Sequence, residues 1–308
     1  MSEVAGLTSA GADVPEAERL VVEGLTMVGS LNTPHEDIYA NLRYAIRQGH
    51  PQVWAQPPHG EEVCIVCGGP SLADTEQELV NLWHAGAKVV TVNGAYRWCL
   101  DRHIKPHAQV MVDARAFNAR FVEPDRPGVR YLLASQCHPA IWDAVQGRPL
   151  VGIWHALDKT DPGAAILDEY YCGQWQGIVG GTTVGTRAIG LCRTLGFLRM
   201  HLFGMDACYL GGQSHGYAQP ENAADQRIQV TFQSTVDPAD RRVFEVTPWH
   251  LKHLEDTLRF IKHSGKYFAL AVHGDGLLAY ALTHCASMVN LEDRALPDAA
   301  PGTGVAAT

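Results

Sequence analysis

The chain has 308 residues, 46% of them hydrophobic and 19% charged, with a formal net charge of −9. That length supports a large buried core, either as one α/β domain with additions or as two domains. The acidic balance and the lack of any basic run longer than Arg241-Arg242 leave a duplex nucleic acid without its electrostatic footprint.

Met1 to Glu18 is small and acidic, without the charged and apolar regions of a leader, and no apolar stretch has the length to span a bilayer. A cytoplasmic location with no membrane partner is the expectation. Residues 1–60 are expected to form an N-terminal extension with one helix, about Glu36 to Gln48, closed by Gly49 and followed by the proline-rich link Pro51 to Pro58. The main domain is expected over 61–288 and a flexible tail over 289–308.

The most informative stretch follows. Val63 to Cys67 is an apolar strand that runs into Gly68-Gly69-Pro70-Ser71, and Thr75-x-x-Glu78 reads as the capping box of a helix over 75–85. A glycine turn between a strand end and a helix start leaves backbone N–H groups free for an anion, so a nucleotide or diphosphate is the first ligand class to consider. A tight connection with no ligand is the other reading of the same corner.

Lys88 to Val92 is the second strand, ending at Asn93-Gly94, with a short helix over Tyr96 to Asp101. Ala108 to Val112 delivers Asp113 at its end; Tyr131 to Ala134 and Leu150 to Trp154 continue the series. Gly180-Gly181-Thr182-Thr183 then opens a second glycine-to-helix corner, and Met200 to Gly204 delivers Asp206. Thr247-Pro248 starts another helix, Gly265 ends it, Tyr267 to Val272 is the last strand, and Leu277 to Met288 the last helix.

This alternation predicts a Rossmann-like, mainly parallel α/β sheet with helices on both faces. Ligands of such sheets bind at the C-terminal strand edge, which gathers Gly68, Gly69, Ser71, Asn93, Asp113, Asp206 and the Gly274-Asp275 turn. Glycine amides and hydroxyls suit phosphate, an Asn amide can read a base or ribose, and Asp113 and Asp206 are candidate Mg²⁺ ligands; strand-end turns capped by Asp are the alternative.

The eight cysteines and fifteen histidines call for restraint. Cys64, Cys67, Cys192 and Cys285 sit in apolar patterns and read as reduced core residues, and Cys64-x-x-Cys67 lies on a strand where residues three apart face opposite ways. His250 and His253 fall on a helix without carboxylate or cysteine company, so surface or capping roles are expected. His215, in the polar glycine-rich loop after Asp206, is the candidate general base, with a solvated loop histidine as the alternative.

The segment Cys64 to Leu72 resembles the Gly-x-Gly-Pro-Ser-Leu signature of the MptE-like proteins, a group named for an archaeal 6-hydroxymethyl-7,8-dihydropterin diphosphokinase. Val90 to Ala95, Ile104 to Asp113, and Gly180-Gly181-Thr182-Thr183 through Gly204-Met205-Asp206 are similar to later blocks of the family, in the same order. Cys67 stands where the signature usually has its first glycine, and His107 where an Asp often follows Lys-Pro. The corner and the following Asn are also distantly similar to bacterial sialyltransferases that use a CMP-linked sugar.

The resemblance implies a nucleotide-dependent transferase that moves diphosphate from ATP, with Mg²⁺, to a hydroxyl acceptor. Gly68, Gly69, Pro70, Ser71, Gly181, Thr182 and Thr183 would hold the phosphates, Asn93 and Asp113 the nucleotide or metal, and Asp206 or His215 would prepare the acceptor. Sugar transfer from a nucleotide-linked donor to a small-molecule or glycan hydroxyl, and a nucleotide-binding scaffold without catalysis, remain open. The sequence leaves the oligomeric state open.

Overall fold

A computed structural model describes residues 33–220, 225–237 and 239–284. The expectations for residues 1–18, for the tail beyond Asn290 and for Cys285 lie outside the described residues. In chain order the elements are α1 (His35–Ile46), β1 (His59–Val66), α2 (Leu72–His84), β2 (Lys88–Val92), α3 (Ala95–Asp101) and β3 (Ala108–Met111). Next come β4 (Arg130–Ala134), α4 (Pro139–Ala144), β5 (Val151–Trp154), α5 (Ala164–Tyr171), α6 (Val184–Thr194) and β6 (Phe197–Phe203). They are followed by β7 (Ile228–Gln233), β8 (Arg241–Val246), α7 (Pro248–Ser264), β9 (Ala269–Val272) and α8 (Leu277–His284).

Seven strands form one parallel sheet in the order β5-β4-β3-β2-β1-β6-β9. Each central strand is buried on both faces, which is why the sequence shows continuous apolar runs instead of alternation. In β1, Val63 and Ile65 join one core cluster while Cys64 and Val66 join the other, with Leu72, Leu79, Trp98 and Cys99 of α2 and α3. Cys64 and Cys67 therefore point to opposite faces, and burial pushes both thiols up to about 12, as expected of inert core cysteines.

The chain grows from β1 outward to β5, then returns to lay β6 on the other side of β1. That reversal makes the C-terminal ends of β1 and β6 the switch point where a crevice must open. The α1 helix is packed into the same core: Leu42, Ala45 and Ile46 are buried in it, and Asn41 Nδ2 donates to the carbonyls of Ala114 and Gln136.

Two sequence expectations are corrected. The α2 helix begins at Leu72, not at residue 75; Ser71 is the N-cap, and Thr75 lies inside the helix with its Oγ1 donating to the Ser71 carbonyl. A hydroxyl can bond one turn back as readily as it caps, so the Thr-x-x-Glu spacing marked the wrong turn. The antiparallel pair β7-β8 was not expected; its buried Val230, Phe232, Phe244 and Val246 join the main core. Among the described residues no helix is long and apolar enough to cross a membrane.

At Gly69, in the corner after β1, an added Cβ would sit 2.6 Å from the Gly204 carbonyl oxygen and also against the Asp206 carboxylate. Backbone cannot rotate away, so Gly69→Ala is expected to cost about 1–3 kcal/mol. Gly60→Ala, with nothing within 4 Å of its Cβ, is the control. Urea midpoints of the two variants measure the difference.

Candidate functional site

At the switch point lies a cleft of about 550 Å³. Of the residues singled out from the sequence, Gly68, Gly69, Asn93, Asp113, Thr182, Thr183, Asp206 and His215 line it, whereas Pro70, Ser71 and Gly181 do not. The turn at Asp275 faces elsewhere: its carboxylate pairs with Arg242.

The glycine corner is filled from within the protein. Gly69 N donates to the Gly204 carbonyl at 2.6 Å, and Ser71 N donates to Asp206 Oδ2 at 2.9 Å. The amides of Gly69 and Ser71 are thus not free for a phosphate, contrary to the sequence reading: the Gly204 carbonyl takes the first, and a carboxylate 135 residues away in sequence takes the second in place of an external anion. Asp206 is only 4% exposed; burial pushes its pKa up, against the downward pull of its bonds to Ser71. Above the corner, a side chain at Gly68 or at Gly94 would collide with Tyr217, and the loop carrying His215 and Tyr217 is held there by Gly216 N donating to the Gly68 carbonyl at 3.0 Å.

The second corner is set differently. Thr183 caps α6 by accepting from Thr186 N at 3.2 Å. Thr182 N and Oγ1 donate to Asp256 Oδ2 of α7 at 3.3 and 2.6 Å, and Lys252 and Arg259 pair with the same carboxyl group. Asp256 therefore fastens the start of α6, and Val184 and Gly185 of its first turn line the cleft.

On the opposite strand end, Asn93 adopts a left-handed φ of 46°, which Asn tolerates better than most residues. Its Oδ1 is buried without a hydrogen-bond partner among the described residues. Asp113 is bound by Arg115, with Nε donating to Oδ1 at 2.9 Å and Nη2 to Oδ2 at 2.5 Å. With Asp113 held by a guanidinium and Asp206 by an amide, the two carboxylates do not fit the expected Mg²⁺ pair. Among the described residues no three His, Cys, Asp or Glu groups cluster as metal ligands.

Sequence reasoning missed the far wall. His250 and His253 of α7 line the cleft with His215, Asp225 and the exposed rim residues Phe117 and Trp249. Burial lowers His250 to about 4 and His253 to about 3, with His215 acting in the same direction on both. The available signal was the i, i+3 spacing directly after a Thr-Pro helix start, which puts both rings on one helix face. Among the lining residues Arg115 has the only permanent positive charge, against the carboxyl groups of Asp113, Asp206 and Asp225.

Fold and cleft define a Rossmann-like α/β protein with an open cleft at the switch point of its sheet. The family described as 6-hydroxymethylpterin diphosphokinase MptE-like matches residues 36–212, more than half of the chain, and the protein belongs to that family. No curated protein matches it as a relative. Among solved structures it is similar to the MAf glycosyltransferase from Magnetospirillum magneticum AMB-1, with a TM-score of 0.60 and 18% identity over 80% of this chain and 37% of that one. The chain thus spans little more than a third of that enzyme. A mammalian sialyltransferase in complex with Gal-beta-1-3GalNAc-ortho-nitrophenol matches with a TM-score of 0.34 and 11% identity, over 60% of this chain and 77% of the other. The family supports a transferase of some kind.

The neutral histidines have a consequence for stability. The unfolded chain protonates His250 and His253 near 6.5, whereas the folded chain keeps them neutral to about 4 and 3, so folding stability falls as pH drops through that window. His253→Gln is expected to reduce the loss in urea midpoint between about pH 7 and pH 4.5, compared with the unmodified protein.

Proposed function

We propose that the protein is a glycosyltransferase that moves a sugar from a nucleotide-linked donor to a hydroxyl acceptor. The observation that carries this reading is the group His215, His250 and His253 in a cleft where, among the described residues, the one permanently charged cation, Arg115, is already bound to Asp113. Diphosphate transfer from ATP brings about four negative charges and a transferred group that needs metal or cationic compensation. Beside three carboxyl groups the cleft is poorly suited to that. A sugar leaving its phosphate adds a single charge to the nucleotide, which neutral donors can meet: the Thr183 hydroxyl, the first-turn amides of α6 and an imidazole N–H.

In this reading His215 is the base that takes the acceptor proton, and the orphaned Oδ1 of Asn93 accepts from a ribose hydroxyl or a base amino group. The likeness of fold to a named glycosyltransferase supports the same choice. The family description points instead to a diphosphokinase, so the two are separated by test.

Thermal shifts with CMP-sialic acid, UDP-sugars and ATP, each with Mg²⁺ or EDTA, distinguish them. Stabilisation by a sugar nucleotide in EDTA is expected; a ligand at about 100 times its dissociation constant adds about 2.7 kcal/mol. Stabilisation by ATP only with Mg²⁺ supports diphosphate transfer, and no shift with any nucleotide leaves the scaffold reading. His215→Ala is expected to lower turnover by about 10²- to 10⁴-fold while leaving the melting temperature near that of the parent.

A further inference from the structure

We propose that His250 is a second catalytic group of this cleft: a neutral imidazole with its proton fixed on Nε2, donating a hydrogen bond to the phosphate oxygen that gains charge as the nucleotide leaves. The inference rests on the glycosyltransferase reading and assigns within it which histidine does what.

The assignment comes from the helix cap. His250 is the third residue of α7, and its box with Thr247 is reciprocal: Thr247 Oγ1 accepts from His250 N at 3.2 Å, and His250 Nδ1 accepts from Thr247 N at 3.1 Å. A backbone N–H can only donate, so Nδ1 must present its lone pair and the neutral ring must carry its proton on Nε2. Protonating Nδ1 would set two N–H groups against each other and break the cap of a 17-residue helix. Tyr209 packs edge-on against the ring at a centroid distance of 5.3 Å and His253 at 6.5 Å, so the imidazole is held on more than one side.

The ring's Nε2 has no hydrogen-bond partner among the described residues, and His250 lines the cleft. The charged groups acting on it are His215, which with burial pushes its pKa down, and Asp225, which pulls the other way; His253, packed against the ring, is itself lowered by His250. Burial, with a smaller push from His215, keeps it neutral over the working range of most enzymes. A neutral imidazole near a helix N-terminus is a recognised donor to an oxygen that is gaining charge.

The division of labour balances. The bond between the anomeric carbon and the phosphate oxygen breaks, with its electron pair going to that oxygen. The acceptor oxygen bonds to the anomeric carbon and its proton passes to His215. The nucleotide leaves with one more negative charge, sharing the His250 Nε2 proton without taking it. His250 cannot act as base, because Nδ1 is engaged by the cap and Nε2 already bears the proton.

Two variants of the full chain test this. In His250→Asn the side-chain oxygen can replace Nδ1 in the cap while the donor is lost; in His250→Gln the amide reaches toward the Nε2 position and keeps a donor. Long-range ¹H–¹⁵N spectra between about pH 5 and pH 8, assigned by the signal lost in the Asn variant, are expected to show a neutral Nε2–H tautomer that shifts on adding CMP or UDP as probes. The Asn variant is expected to bind the probe about 10-fold more weakly and to turn over about 10²-fold more slowly, with the Gln variant recovering much of both. An Nδ1–H tautomer, an imidazolium at pH 6 or above, or unchanged binding and turnover in the Asn variant would overturn the assignment. If the unmodified protein binds neither probe, the glycosyltransferase reading fails and this role with it; the tautomer, read without ligand, tells that failure from a misplaced proton.

Discussion

The buried carboxylate of Asp206 is the interaction on which the site depends. It accepts from the Ser71 amide, its side chain fills the space that only glycine leaves at positions 69 and 276, and its carbonyl accepts from Leu278 N at 3.1 Å. Three loops, after β1, β6 and β9, are tied at one point. Removing the carboxylate would leave a buried amide without a partner, a loss of about 1–3 kcal/mol before any repacking. The same contact has a chemical consequence. An anion is already seated in the nest that would otherwise receive a phosphate, so the open part of the cleft shifts toward the start of α6 and the first turns of α7.

Helix α7 then sets the geometry there. Through Asp256 it fixes Thr182 and the start of α6, and Thr257 Oγ1 meets Thr186 Oγ1 at 2.9 Å. Its first two turns face the cleft with His250 and His253. The α6 first-turn amides and the two imidazoles are therefore placed by one rigid element, so their separation does not depend on a loop. The loop that follows β6 supplies the third histidine from across the cleft, held at Gly68 by a backbone bond and at Glu245 by Tyr209 N.

Much of the frame was legible because local signals carried it. The apolar runs at Lys88–Val92 and Val151–Trp154, the Thr183 cap of α6 and the Thr247-Pro248 start of α7 are each decided within a few residues, and each lies where the sequence puts it. The strand-end rule then brought Gly68, Gly69, Asn93, Asp113 and Asp206 to one cleft, though not Ser71 or the Gly274-Asp275 turn, and the loop after Asp206 added His215. What the sequence hid was long-range. Nothing near Gly69 reveals that Asp206 occupies its corner, and nothing near His250 reveals that a loop some 35 residues upstream closes a cleft against it. The box at Thr75 failed for the opposite reason: the local pattern was real, but Ser71 ended the turn first and packing of Leu72 against the sheet extended the helix backward.

The charge inventory of the cleft bears on how one fold can serve different transfers. A Rossmann-like sheet offers the same switch-point crevice to any nucleotide, and the backbone donors at its helix starts are indifferent to what is attached to the phosphate. Specificity for the transferred group must come from how much charge the walls can neutralise as the reaction proceeds. Here the walls combine three carboxyl groups, one guanidinium tied to one of them, and imidazoles that burial keeps neutral. For the proposed sugar transfer, such a site would meet a small gain in negative charge with aimed N–H and O–H dipoles, a compensation too weak for a polyphosphate. The glycine corner pushes in the same direction: with the Ser71 amide bound to the Asp206 carboxylate and the Gly69 amide to the Gly204 carbonyl, those two donors are withdrawn from phosphate binding, and with them a main structural reason to expect a polyphosphate at this edge of the sheet.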